Sequence, residues 1–600
     1  MISAICLFLP ALVMNVMRGK LIVPNRGLKR EIIDYALEVL AINYIMMTIL
    51  TAFGEHRENV TDQMNQYIVF SWKYLSCAFV IVVAELFLEK FVRQKLQISI
   101  KLKNCNIPKK CWKYALWIYT AILFGLNAIR VFDQNFWGDE AYTVIILRRN
   151  LWDMIDMIAK IDSHPPLYYV ICKFISSIAG TSGIVYHTIS LIPYAVILVV
   201  SLTLICKWFG PHASVILITL TSLLPSAVTY NVEVRMYSWG ALFILLSYLG
   251  LYQILKDGKC KDYVLFTVFS LASAYTHYYC LLSVAFFYLI LICDAFVCKT
   301  KKKIISTALL CIGAILGYLP WLGFLLTGIR RHINGFWATE VPSIATCMEY
   351  IFDTKYGIIL LVMLFLMTTI KILYESGILQ LENETKFLIC INLKNVHFTT
   401  GCAWILAGFI CIFGTIVTGI VVSAIFRPLL VIRYIYPVLI IAWLILAVCI
   451  SSMKWRSIYT VAVVLCILVS TIPEYTNTYV YEKASNESLK ETLDATKNII
   501  GQEDIILTNH VFIHITVSEC YYPGVKCQML DETLEINSQR KYCLIVDENL
   551  ESMLMQKEMN LEDGFEIITS GNLGMIPVWI YQITDTKQAE HILKDMMSTG

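Results

Sequence analysis

Charged side chains are scarce in this chain. Of its 600 residues, 16% are charged and 58% are hydrophobic, whereas soluble domains average about 25% charged residues. The mean hydropathy is +0.65, and apolar runs near the ~20 residues that cross a bilayer recur from end to end. This composition excludes a soluble protein and predicts an α-helical polytopic membrane protein. The net charge of +3 gives no indication of a nucleic-acid partner.

Motifs for nucleotide binding and for serine nucleophiles are also absent. The chain has no P-loop, no GxGxxG after a predicted strand and no GxSxG elbow. These absences argue against energy coupling by ATP and against a soluble dinucleotide enzyme. No internal repeat is evident, whereas transporters commonly have related halves.

Paired cysteine motifs are missing, although the chain has 20 cysteines. No CxxC spacing occurs, so a zinc or haem site is not indicated. Cys520 and Cys527 lie in a polar tail and would be able to form a disulfide if that tail is extracytoplasmic. A chance spacing explains the two cysteines equally well.

The apolar runs predict roughly fourteen membrane spans. The first has its N-terminus outside and is not a signal peptide, because positive charge follows rather than precedes it. The predicted spans are 1–17, 33–53, 67–89, 113–130, 186–206, 212–230, 237–255, 261–277, 279–297, 304–328, 357–375, 402–425, 434–451 and 457–474.

Lysine and arginine clusters set the predicted orientation, because such loops prefer the cytoplasmic side. The clusters at 90–110, 256–261, 299–303 and 454–456 agree with one another only if 165–180 does not cross the membrane. We therefore predict that 165–180 is an interfacial or re-entrant helix. The polar segments then share the outer side: 131–185, 233–237, 275–279, 330–356, 426–434 and the tail after 474.

The first outer loop carries adjacent carboxylates, Asp139 and Glu140, directly after a span. Carboxylates at a membrane edge are costly unless they are solvated, paired or used. A carboxylate there could deprotonate a hydroxyl as a general base or contribute to a divalent-cation site. A solvated loop pair is the plain alternative. Further along the loop, 151–158 predicts a short surface helix, for which an ordinary connector is the alternative.

Other polar residues follow at the outer ends of spans. Glu233 and Arg235 form either a plain ion pair or an acid beside a phosphate clamp. Arg427 and Arg433 flank a proline turn, where arginines bind anions bidentately or contact lipid headgroups. His164 either caps a rigid turn or donates to a phosphate. The aromatic turn 275–279, which contains His277, is more typical of an interfacial belt than of a binding site.

The tail after 474 changes to a charged composition with short apolar runs. Segments 504–507, 542–546 and 578–583 predict strands, and Ser488 to Glu491 matches a helix-initiating capping box. The tail therefore predicts a small α/β domain over the outer face.

Five of these segments together resemble a known family. They are WGDEAYT at 137–143, DSHPPLYY at 162–169, EVRMYSW at 233–239, YTHYY at 275–279 and RPLLVIRYIYP at 427–437. In this order they resemble the GT-C membrane glycosyltransferases. The similarity is to the bacterial family 39-like branch, related to protein O-mannosyltransferases and lipid A aminoarabinose transferases, and it covers about 113–475.

The resemblance implies inverting transfer of a sugar from a polyprenyl-phosphate donor to a protein, lipid or cell-wall glycan on the extracytoplasmic face. It implies that the catalytic acidic residue, acting as general base, is Asp139, with Glu140 beside it. The substrate-binding candidates under this resemblance are Asp162, His164, Glu233, Arg235, Arg427, Arg433 and Tyr434. No cofactor is implied, and a divalent cation stays open.

The same reading divides the chain into three parts. Residues 1–112 hold extra membrane helices and a basic loop, 113–475 the catalytic core, and 476–600 the extracytoplasmic domain. A lipid or glycan flippase and a non-catalytic membrane scaffold are the competing hypotheses.

Overall fold

The computed structural model describes residues 109–597, apart from 134, 163, 336, 377–378, 382–388, 392–398, 454–455, 532–533 and 557–563. The predicted spans 1–17, 33–53 and 67–89 and the basic loop that follows them, up to 108, lie outside the described residues.

The described part of the chain is mostly helical and contains nine helices long and apolar enough to cross a membrane. The prediction of a polytopic helical membrane protein is therefore confirmed. The nine spans are Trp112–Phe132, Gly183–Phe209, Tyr237–Lys256, Tyr278–Cys298, Lys301–Arg331, Gly357–Glu375, Thr400–Ile425, Ile432–Ser451 and Tyr459–Thr496.

Two further predicted spans are shorter helices than expected. The segment predicted as 212–230 is divided into Pro211–Leu223 and Pro225–Tyr230, because Pro225 begins a new helix after the extended Leu224. The segment predicted as 261–277 is the 15-residue helix Cys260–Ala274.

The bundle is built around the helix Tyr436–Ser451, whose residues are all buried. It packs against Pro211–Leu223, Tyr237–Lys256, Gly357–Glu375 and Thr400–Ile425. The last of these helices approaches closely because Gly408 has no side chain: a Cβ there would lie 2.7 Å from Ile445. The residues just before the central helix are consequently anchored by a fully buried element.

The loop predicted to be the first outer loop contains three helices: Gly138–Arg148, Leu151–Lys160 and Leu167–Ala179. Leu151–Lys160 matches the predicted surface helix, and the Asn150 side chain caps it by accepting the Asp153 N–H. Leu167–Ala179 has 13 residues. At about 1.5 Å per residue this is too short to cross a bilayer, as the charge pattern requires.

Most of the remaining elements before the tail are short. A π turn, Ser201–Ile205, continues Gly183–Val200 into Cys206–Phe209, and the helix at 301 extends to Asn334. The others are the helix Ile344–Glu349, the 3-10 turns Ile129–Phe132, Tyr350–Phe352 and Ile432–Ile435, and the antiparallel strands Leu379–Leu381 and Ile389–Ile391.

The tail forms a small α/β domain, as predicted. Its five strands lie in the order Lys526–Met529, Ile505–Thr508, Tyr542–Val546, Ile576–Ile583 and Phe565–Leu573. The first three are parallel and the last two pair antiparallel. Its helices are Ser518–Tyr521, Leu550–Met555 and Thr586–Met597, with a π turn at Ile513–Val517.

One helix, Arg456–Thr496, runs from the membrane bundle into this domain. The boundary placed at 475/476 therefore falls within a continuous helix. Ser488 lies inside the same helix rather than at a helix start, so the capping-box prediction is wrong. Cys520 and Cys527 are both free thiols, so the disulfide is not formed.

Candidate active site

The helix Gly138–Arg148 begins with the two adjacent carboxylates in its first turn, where the helix dipole favours negative charge. Glu140 is buried, and its two oxygens accept the backbone N–H groups of Trp137 at 3.3 Å and Val234 at 2.7 Å. Burial raises the pKa of Glu140 well above its usual range, and the Glu233 carboxyl raises it further. Glu140 therefore ties the first outer loop to the turn at 233–237.

Asp139 points to two arginines. Its Oδ2 lies 3.0 Å from Nη2 of Arg433 and 3.9 Å from Nη2 of Arg235. Arg235 also donates from Nη1 to the Asp139 backbone carbonyl at 3.2 Å and to the Thr143 hydroxyl at 3.3 Å. The Asp139 side chain is 23% exposed, so it remains reachable while both guanidinium groups hold it. Three turns far apart in the chain converge at this carboxylate.

Arg433 lies in the 3-10 turn directly before the central helix. Its guanidinium carbon lies 5.2 Å from the Trp137 ring, 5.3 Å from the Trp337 ring and 6.0 Å from the Tyr434 ring. Cations over aromatic faces are held by about 0.5–2 kcal/mol. The packing of the central helix and these rings together fix the guanidinium beside Asp139.

Glu233 is a second buried carboxyl of the cluster. Its Oε1 has no hydrogen-bond partner among the described residues. Burial raises the pKa of Glu233 to about 7, and the positive charges of Arg235 and Arg433 oppose that rise. The group therefore changes its charge near neutral pH.

Asp162 and His164 form a buried dyad at the end of the first loop. The Asp162 Oδ1 and the His164 Nδ1 are 2.9 Å apart. Burial alone would raise the pKa of Asp162, but His164 and Arg235 bring it below its ordinary value. Arg331 fixes the segment by donating to the Asp162 carbonyl at 2.6 Å.

His277 joins this dyad. Its ring centroid lies 5.2 Å from that of His164 and 4.9 Å from that of Tyr434. Only 2% of His277 is exposed, so it is a buried component of the site rather than part of a membrane-facing aromatic belt. The sequence pattern favoured such a belt for His277, and no motif indicated Trp337.

The predicted site residues thus lie together with one exception. The contacts and charge interactions described above link eight of them: Asp139, Glu140, Asp162, His164, Glu233, Arg235, Arg433 and Tyr434. Arg427 is half-buried, and its Nε has no hydrogen-bond partner among the described residues. Arg427 has no ion pair with Asp139, in contrast to Arg433.

Metal binding has little support in this region. In the described segments, no three His, Cys, Asp or Glu side chains lie close enough to hold a metal ion. The described residues therefore offer no cluster of three such ligands for the divalent cation that the sequence left open.

Comparison with known proteins shows a similar fold among solved structures but no match by sequence. No protein-family model and no curated protein matches the chain. The structure of ArnT from Cupriavidus metallidurans in the apo state aligns with a TM-score of 0.52 at 11% identity, over 79% of this chain and 98% of ArnT. The structure of that ArnT bound to undecaprenyl phosphate aligns with a TM-score of 0.49 at 10% identity, over 78% and 97%. The chain therefore has an ArnT-like fold.

Proposed function

We propose that this protein is a membrane glycosyltransferase that moves a sugar from a polyprenyl-phosphate donor to an acceptor hydroxyl. The observation that carries the proposal is the meeting of Asp139, Arg235 and Arg433 at one edge of the bundle. A reachable carboxylate beside two fixed guanidinium groups suits a reaction that needs one base and one anionic leaving group. The shared fold with ArnT is consistent with this reaction.

In the proposed reaction, Asp139 takes the proton of the acceptor hydroxyl. The acceptor oxygen attacks the anomeric carbon as the bond from that carbon to the phosphate oxygen breaks. Polyprenyl phosphate leaves with the bonding electrons, and Arg433 and Arg235 stabilise its charge. A single displacement from the opposite face inverts the anomeric carbon.

The two adjacent carboxylates take different roles in this proposal. Both oxygens of Glu140 already accept backbone N–H groups, so we assign Glu140 to holding the loop. Asp139 is partly exposed, and its partners are the guanidinium groups that we propose bind the phosphate, so we assign it as the base. Glu233, Asp162 and His164 stay candidates for substrate binding beside this carboxylate. Arg427 stays a candidate for the donor phosphate or for a lipid headgroup.

The proposed site faces the extracytoplasmic side. The helix Tyr237–Lys256 runs from the Arg235 turn to a lysine cluster at its other end, and Tyr278–Cys298 runs from the His277 turn to a second lysine cluster. Because lysine-rich loops prefer the cytoplasm, this arrangement supports an extracytoplasmic position for the site and the C-terminal domain. The acceptor, whether protein, lipid or cell-wall glycan, would be met there.

The test is release of polyprenyl phosphate from a panel of polyprenyl-phosphate hexoses and pentoses by purified protein in lipid, with membrane extract as acceptor. We expect release by the wild type and at least a hundredfold slower release by Asp139→Asn, with both proteins equally thermostable. Equal release by the two proteins would remove Asp139 from the mechanism. No release from any donor by folded wild type would favour a flippase. A chelator in the same assay tests the divalent cation.

A further inference from the structure

His164 and His277 form a histidine pair beside the ion-paired cluster, and one nitrogen atom of each ring has no role in the proposed reaction. His164 and His277 are 5% and 2% exposed. The Nε2 atom of each ring is buried and has no hydrogen-bond partner among the described residues. Leaving a buried polar atom unpaired is unfavourable, so two such atoms on neighbouring rings indicate a bound polar group.

The proton on His164 can be placed from its neighbour. Nδ1 faces the Asp162 Oδ1 at 2.9 Å. A carboxylate accepts and cannot donate, so Nδ1 carries the proton of the neutral ring. Burial lowers the pKa of His164, which keeps the ring neutral at physiological pH. The Nε2 of His164 is then an acceptor, not the phosphate donor that the sequence suggested.

In His277 the Nδ1 atom faces a donor instead of an acceptor. Its Nδ1 accepts the backbone N–H of Tyr279 at 3.1 Å, so in a neutral ring the proton must be on Nε2. Burial lowers the pKa of His277 well below its usual range. The Nε2 of His277 is then a donor.

The pair therefore offers one acceptor and one donor in rings whose centroids are 5.2 Å apart. A phosphate oxygen only accepts and would be opposed by the lone pair of His164. A hydroxyl group both donates and accepts, so it satisfies both nitrogen atoms. The Tyr237 hydroxyl is a third buried polar group without a partner among the described residues. Its ring lies 5.9 Å from that of His277.

We propose that His164 and His277 recognise one hydroxyl group of a saccharide, His164 by accepting its proton and His277 by donating to its oxygen. This inference rests on the proposed function and adds a sugar-recognition site beside the phosphate-binding arginines. Tyr434 separates the two regions, since its ring contacts both His277 and the Arg433 guanidinium. The hydroxyl belongs to the donor sugar or to a glycan acceptor, and the kinetics distinguish these sources.

The experiment uses full-length protein in lipid and the donor that the release panel identifies. The variants are His277→Leu, which deletes the donor group, and His277→Gln, which retains an N–H at a comparable reach. His212→Leu is the matched control, because His212 is a half-buried histidine that contacts Thr460 elsewhere in the bundle. Binding of sugar-free polyprenyl phosphate is measured for every protein.

We expect His277→Leu to lower kcat/KM about tenfold to a hundredfold, as loss of one buried hydrogen bond does. His277→Gln should recover part of the loss, and His212→Leu should match the wild type. Binding of polyprenyl phosphate should stay within about twofold of wild type in all variants, because the proposal assigns the phosphate to the arginines and not to the histidine pair. One monodeoxy form of the donor should slow the wild type as much as the substitution does and should slow His277→Leu no further.

The source of the hydroxyl follows from which constant changes. A raised KM for the donor, with non-additivity toward one deoxy donor, assigns the hydroxyl to the donor sugar. A raised KM for the acceptor alone assigns it to an acceptor glycan. Unchanged kinetics in His277→Leu would mean an internal water only and would overturn the inference. Parallel loss of polyprenyl-phosphate binding would also overturn it. Wild type that neither binds nor releases polyprenyl phosphate would instead refute the proposed function.

Discussion

At the scale of single residues, Arg433 combines contacts that a lysine cannot reproduce. One guanidinium nitrogen reaches Asp139 at 3.0 Å, while the guanidinium plane lies near the Trp137 and Trp337 rings. A lysine keeps the charge but loses the planar fork and much of the stacking. We expect Arg433→Ala to lower kcat/KM for the donor about 100- to 1,000-fold and Arg433→Lys to lower it about tenfold. Steady-state kinetics with the donor identified by the release panel measure both losses. Equal losses in the two variants would show that a positive charge without the planar guanidinium group restores no activity.

Glu233 gives a prediction of pH dependence. Burial raises the pKa of Glu233 from its ordinary 4.5 to about 7. As pH rises from 4.5 to 7, the unfolded chain loses this proton before the folded protein does, so Glu233 makes the folded state progressively less stable. Glutamine resembles the protonated acid at every pH. We therefore expect the unfolding temperature of Glu233→Gln minus that of wild type to increase from pH 5 to pH 8, and a constant difference would contradict the shift.

The sequence motifs located most of the candidate site at this scale. Asp139, Arg235 and Arg433 are polar residues at span ends, and that position alone predicts that they share one membrane face. Their meeting at 3.0 and 3.9 Å depends on helix packing and was not predictable from spacing. His277 was missed because a histidine among tyrosines at a span end has the same pattern whether it faces lipid or a buried site.

At the scale of secondary-structure elements, the helix Gly138–Arg148 is held between the bundle and the C-terminal domain. Arg148 donates from its two Nη atoms to the carbonyls of Glu519 and Cys520, each at 2.8 Å. The Tyr521 hydroxyl accepts the Phe136 N–H at 2.6 Å. The domain therefore fixes both ends of the helix that carries the proposed base.

The start of the same helix also lies close to the C-terminal domain, where Gly138 faces the Phe512 ring. A Cβ there would lie 2.3 Å from the Phe512 ring, closer than any real contact. We expect Gly138→Ala to cost about 1–3 kcal/mol by overpacking, which lowers the unfolding temperature and slows transfer by displacing Asp139. Phe512→Ala in the same protein should restore both properties, because it removes the ring that clashes. A double variant no better than Gly138→Ala would show that another contact is responsible.

The regular elements were predicted best where their pattern was strong. The strand Tyr542–Val546 was predicted at its observed bounds, since it is a short apolar run between polar turns. The strand pair at 379–391 was not predicted, because its two strands have only three residues each. Ser488 matched a helix start by its spacing to Glu491, but its hydroxyl instead accepts the backbone N–H of Asn572 at 3.1 Å, a tertiary contact that local spacing does not reveal.

At the scale of the whole molecule, the helix Arg456–Thr496 connects the membrane bundle to the α/β domain without a break. A continuous helix transmits orientation, whereas a flexible linker does not. Its outer part packs against the strand Phe565–Leu573 of the tail domain. The domain is therefore fixed over the proposed active site rather than tethered near it, although the change of composition at 475 suggested a separable unit.

A buried ion pair joins this long helix to the first described span. Arg130 is 3% exposed and Glu482 15%, and the Arg130 Nε donates to Oε2 of Glu482 at 2.9 Å. A second guanidinium nitrogen pairs with Glu482, and a third donates to the Val228 carbonyl. Two charges taken out of water are tolerated because each is matched by the other.

Removing one partner should therefore cost more than removing both. We expect Glu482→Gln to destabilise the protein by about 3–5 kcal/mol, because it leaves the Arg130 charge buried without a counter-ion. Arg130→Met with Glu482→Leu should recover most of that loss, since the same space is then filled by apolar groups. Thermal unfolding of the three proteins in one detergent compares them directly. If the double variant were as unstable as Glu482→Gln, the ion pair itself, rather than the avoidance of an unpaired charge, would hold the domain to the membrane bundle.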